Sequence, residues 1–121
     1  MLPSWLPIKE LKAKVYANLE DGSIRIITEE GKEYSFSNMK EALSYFKGLG
    51  YFDIRITEMF LSVPGIERTI HIVEKPDPRS PTGYVLKTVT PLTKEEKQAL
   101  VKINENFKMW LQRVIDDFYI G

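Results

Sequence analysis

Few residues in this chain are of a type that could carry out chemistry, and their spacing does not assemble them. The lone histidine, His71, lies between Ile70 and Ile72 in a strand-like run. Period-two alternation groups it with Glu67, Thr69 and Val73, the less apolar face. A general base needs a nucleophile and an orienting group beside it, and a metal-bound histidine needs companion ligands. No local spacing supplies either. Glu95-Glu96 and Asp116-Asp117 are adjacent in sequence, and consecutive helical residues point about 100 degrees apart, so neither pair shares a site. Glu58 and Glu74, with Lys75 alongside, form the one set that neighbouring strands could gather into a metal-dependent carboxylate cluster. The chain has no cysteine, which removes thiolate metal sites and thiol catalysis. It also has no glycine-rich phosphate loop, nucleophile elbow or dinucleotide fingerprint. Neither a catalytic residue, a metal ligand nor a cofactor is expected, and the protein reads as leaning away from enzymes.

Binding chemistry has more to work with. Lys12, Lys14 and Tyr16 share a strand face, and Arg25 faces them across a hairpin. Such a surface could meet phosphates and stack a base. The 17 basic and 17 acidic residues cancel, so nucleic-acid contact would depend on this local patch and not on a broad positive field. At the other end of the chain, Gln112, Ile115, Phe118 and Tyr119 stand as Gln-x-x-Ile-x-x-Phe-Tyr. This resembles the motif by which archaeal and eukaryotic proteins dock on the sliding clamp PCNA. The resemblance implies a glutamine seated in a small polar pocket and an aliphatic residue plus two aromatics plugging a hydrophobic cleft. It covers eight residues. The same Ile115 and Phe118 also continue a core-facing stripe.

The elements that must position these groups follow from periodicity. Leu2 to Ile8 carries Trp5 between Pro3 and Pro7 and, within an apolar arm spanning 1–11, is neither helix nor central strand. Ala13, Val15, Ala17 and Leu19 alternate with polar residues, and Asp21-Gly22 turns the chain into Ser23 to Thr28. Glu33 to Phe36 completes a three-stranded meander. Asn38 and Glu41 open a short helix that runs to Gly48 and Gly50. Tyr51 to Val63 and Ile66 to Glu74 are strands joined at Pro64-Gly65. In the first of them the apolar phase slips between Ile54/Ile56 and Met59/Leu61/Val63, which predicts a bulge near Thr57. Residues 75–83 form a proline-rich loop, and Tyr84 to Thr90 is a further strand.

Thr93 and Glu96 then give a capping box. Leu100, Ile103, Phe107, Trp110, Leu111, Val114, Ile115 and Phe118 recur at three- and four-residue steps, predicting one long amphipathic helix over 93–119. At roughly 40 Å it would overhang the body of the domain. The expected fold is a single α+β domain over 1–121, mainly antiparallel in the order βββ-α-βββ-α, with that helix packed on the sheet. One parallel pair across the first helix fits as well.

The sequence is therefore read as a small non-enzymatic binding or regulatory protein acting through protein-protein contacts, by self-association or on a sliding clamp. The alternatives are a replication or repair accessory factor, using the tail or the basic face, and a metal-dependent enzyme. Lysine and glutamate dominate the charged residues and glutamine is scarce, a usage that leans toward a thermophile or its mobile element. Without an apolar run of membrane length or a basic leader, the expected location is cytoplasmic, with no membrane partner.

Overall fold

A computed structural model gives the structure and describes residues 10–51 and 53–116. The apolar arm Leu2 to Ile8 lies outside the described residues. Strands β1 (Glu10–Asn18), β2 (Ile24–Thr28) and β3 (Glu33–Phe36) are followed by helix α1 (Met39–Gly48). Strands β4 (Asp53–Ser62), β5 (Ile70–Pro76) and β6 (Tyr84–Thr88) precede helices α2 (Lys94–Val101) and α3 (Glu105–Val114). The six strands form one sheet in the order β3-β2-β1-β4-β5-β6.

Two antiparallel meanders run outward from the centre, where β1 and β4 pair in parallel. The sheet is thus mixed. Its parallel pair arises because α1 reverses the chain after edge strand β3, so that β4 returns beside β1 in the same direction. The turns after β1 and β4, around Asp21-Gly22 and Pro64-Gly65, emerge at the same end of the sheet.

Alternation puts Leu11, Ala13, Val15 and Ala17 of β1 on the buried face, with Lys12 and Lys14 on the other. Ile24, Ile26, Met59, Leu61, Ile70 and Ile72 join them in a core closed by Ala42 and Phe46 of α1, Leu100 of α2 and Leu111 of α3. The phase slip in β4 is a bulge: Ala13 pairs with Ile56 and Lys14 with Glu58, which leaves Thr57 as the extra residue. Ile54 and Ile56 thereby pack against the same core as Met59 and Leu61.

The continuous helix expected over 93–119 does not form. Helix α2 closes through Lys102 N–H to Ala99 O (3.2 Å) and Ile103 N–H to Leu100 O (3.3 Å). Asn104 then starts a new helix, its side-chain oxygen accepting from Asn106 N (3.0 Å) and Phe107 N (3.3 Å). Asparagine competes well for helix N-termini and poorly in helix interiors, so the chain breaks where an apolar stripe alone would carry it through. The break also suits the body beneath it. Six strands at about 4.8 Å spacing span about 24 Å, less than a straight rod of that length. Helix α3 ends at Val114, and Ile115 is extended, forming a parallel bridge to Leu86 on β6; Asp116 N–H donates to Leu86 O at 2.8 Å. The described order is βββ-α-βββ-α-α.

The predicted capping box is present, and Glu96 does more than cap. Its carboxylate accepts from Thr93 N (2.8 Å) and takes a two-pronged hydrogen bond from the Arg68 guanidinium, which ties α2 to the segment joining β4 and β5. The Arg68 hydrogen bonds hold the Glu96 carboxyl at about 2, well below its ordinary 4.5, against the opposing effect of burial.

The proline-rich loop begins later than expected. Pro76 closes β5 opposite Tyr84, at a strand end where a missing N–H is tolerated. Residues 77–83 carry the turn, in which Asp77 N–H donates to Gly83 O at 2.9 Å.

Candidate functional site

On the helical side, α1 and the α2–α3 pair stand apart, and a cleft of about 1110 Å³ runs between them. The wall formed by α1 is set by its anchor. Phe46 is 2% exposed and meets Tyr34 (5.3 Å), Phe36 (5.8 Å), Tyr45 (5.3 Å) and Tyr51 (6.2 Å) at steep ring angles. The edge-to-face contacts with Tyr34 and Phe36 of β3 fix the roll of the helix. With Ala42 and Phe46 turned down, Met39 and Leu43, four residues apart, line the cleft.

The opposite wall carries Ala99, Ile103, Phe107 and Trp110, with the last two in edge contact at 5.6 Å. The helix break decides this arrangement, since Asn104 caps α3 with Phe107 in its first turn. The two turns at the end of the sheet add Leu19, Gly22, Pro64 and Gly65 to the lining. Leu43 is 49% exposed. The rim holds Glu20, Asp21 and Glu95 against Lys40, Lys47 and Lys102.

The strand residues singled out from the sequence do come together, on the opposite side of the sheet. Tyr16 pairs with Arg25 on one flank and Phe60 on the other, and Phe60 pairs with His71, so the four form one row across β2, β1, β4 and β5. The rings stack: Tyr16 on Phe60 at 4.6 Å and Phe60 on His71 at 4.6 Å, while the Arg25 guanidinium lies 4.6 Å from the Tyr16 centroid. Both faces of Tyr16 are therefore covered, one by Phe60 and one by Arg25. A ring so sandwiched presents only its edge, and base stacking needs a face. Lys14 is ion-paired with Glu58 (3.3 Å) and Arg25 with Glu33 (3.1 Å); Lys12 is exposed.

His71 sits on the partly solvated face as expected, and its Nε2 is 2.7 Å from Glu58 Oε2. Burial pushes the Glu58 carboxyl up, and the hydrogen bonds from His71 and Lys14 outweigh it, leaving the group below its ordinary value. Glu74 is engaged elsewhere, in a fork with Arg55 at 2.7 and 2.9 Å, over which Tyr84 stacks at 4.0 Å. Glu58 and Glu74 thus each serve their own cations. Among the described residues no three histidines or carboxylates are grouped as a metal ion would require.

Of the tail motif, Gln112 is half-buried on α3, Ile115 is 1% exposed and belongs to the core, and Phe118 and Tyr119 lie outside the described residues. Among the described residues no helix is long and apolar enough to cross a membrane. No family model matches the chain, no curated protein matches its sequence and no solved structure matches its fold.

The sequence pattern missed Leu43 as a site residue. Met39, Ala42, Leu43, Phe46 and Leu49 stand at helical spacing, which predicts packing of α1 on the meander, yet a helix carrying apolar residues at both i+3 and i+4 presents a stripe wider than one sheet contact covers. That width was the available signal.

Proposed function

We propose that this protein is a non-enzymatic binding module that acts through protein contacts, holding an apolar segment of a partner in the cleft between α1 and α2–α3. The observation that carries this is the half-exposed Leu43 facing Ile103, Phe107 and Trp110 across about 1110 Å³. Concave, mostly apolar surfaces of that size are where binding sites concentrate. The outer sheet face is a poorer candidate, because both faces of Tyr16 and of Phe60 are occupied and Lys14 and Arg25 are already paired.

Site-specific photo-crosslinking in cells tests this assignment. A benzoylphenylalanine at position 43 is expected to trap a discrete protein, with loss of the adduct in a Phe107→Glu background. The same group at position 12 is expected to trap none. Adducts of equal yield from both positions, or nucleic acid trapped at position 12 alone, would overturn it.

A further inference from the structure

Resting on the groove as the docking site, we propose that its occupant is an amphipathic α-helix of a protein partner, with acidic and basic residues both flanking its apolar face. Among the described residues the sheet edges are β3 and β6, and neither contributes a residue to the groove. An extended peptide laid there would find no strand edge to pair with, and its backbone N–H and C=O groups would be desolvated without partners. A helix satisfies its own backbone and offers only side chains, which is the recognition mode that a helix-walled apolar groove serves.

The length agrees. The wall formed by α1 has 10 residues, about 15 Å, which matches three turns of a docked helix anchored at i, i+3 or i+4, and i+7.

Among the described residues, three carboxylates (Glu20, Asp21, Glu95) and three ammonium groups (Lys40, Lys47, Lys102) border the groove. A polyanion or a purely basic segment would meet as much repulsion as attraction there, whereas a partner with mixed flanks can match both signs. Balanced rims also steer weakly, so affinity depends on the apolar anchors and changes little with salt.

The test uses the full chain and three probes, read by amide chemical shifts. One is a synthetic peptide of about 16 residues, rich in Ala, Glu and Lys, with Leu, Leu and Trp at i, i+3 and i+7. The second carries a central proline that breaks its helix. The third is the apolar dye anilinonaphthalene sulfonate. The helical peptide is expected to shift the amides of Leu43, Ile103, Phe107 and Trp110 and to bind at least about tenfold more tightly than the proline peptide. Its affinity is expected to change less than about threefold between low and high salt.

Equal binding of the proline peptide, or shifts running along β3, would overturn the helix assignment. So would a groove closed by a second copy of the chain in solution. Dye that reaches the groove while no helical peptide does would defeat the helix and spare the docking site. Failure of dye and peptides alike would remove both.

Discussion

Replacing Glu96 with glutamine tests the tie that sets one wall of the groove. The side chain is 8% exposed and accepts from Thr93 N and from both prongs of Arg68. Glutamine can still reach back to the Thr93 N–H, so Glu96→Gln isolates the charge from the cap. The Glu96 carboxyl moves from 4.5 to about 2. At about 1.36 kcal/mol per pH unit this sets an upper value of about 3 kcal/mol, and solvent screening of the one-third-exposed Arg68 brings it to roughly 2 kcal/mol.

The pH dependence has a definite sign. Between about 2 and 4.5 the unfolded chain binds this proton and the folded chain does not, so acidification favours unfolding. The contribution is complete above the ordinary carboxylate value and is lost as pH falls through about 2. Urea titrations of wild type and Glu96→Gln, repeated from pH 7 to pH 2.5, are expected to show a gap of about 2 kcal/mol that narrows steadily below pH 4.5. A gap of that size that stays constant with pH, or none at pH 7, would refute the assigned role.

Other expectations follow from single contacts. Phe46→Ala empties the aromatic box under α1 and is expected to destabilise the fold by about 3–5 kcal/mol in denaturant titrations. Asn104→Ala removes the cap that starts α3 and should lower stability by about 1 kcal/mol by thermal melting. Deleting Thr57, the extra residue of the bulge, leaves Ile54 and Ile56 on the core face, so a cooperative melt should survive. Deleting Met59 keeps Leu61 on the core face only if the bulge closes, which puts Glu58 in the buried Met59 position, so the melt should be lost.

Local chemistry made much of the fold legible. Two-residue alternation marked the face of β1, Asp21-Gly22 marked the turn from β1 to β2, and the slip between Ile56 and Met59 marked the bulge; Pro64-Gly65 marked the turn after β4, although β5 starts at Ile70 and not at Ile66. Thr93 and Glu96 announced α2. What alternation cannot carry is strand order, because the pairing of β1 with β4 depends on where α1 lands the chain. The single long helix failed for a different reason. Its apolar steps run unbroken across Lys102-Ile103-Asn104, and periodicity does not register that Asn104 is better suited to start a helix than to continue one.

The basic face was legible as an arrangement and misleading as chemistry. Lys14, Tyr16 and Arg25 do share a surface, but their partners Glu58, Phe60 and Glu33 come from other strands and occupy them. The groove was the least visible feature, since it is a gap between helices whose separation only the packed sheet determines.

Partner binding in the groove, and not on the outer sheet face, is tested most directly by titrating the protein trapped at position 43 into wild type, Leu43→Asp and Lys14→Ala/Arg25→Ala by calorimetry. At least about a tenfold loss of affinity is expected for Leu43→Asp and less than about a twofold change for the double variant. The reverse pattern, with Leu43→Asp binding as wild type does, would contradict binding in the groove.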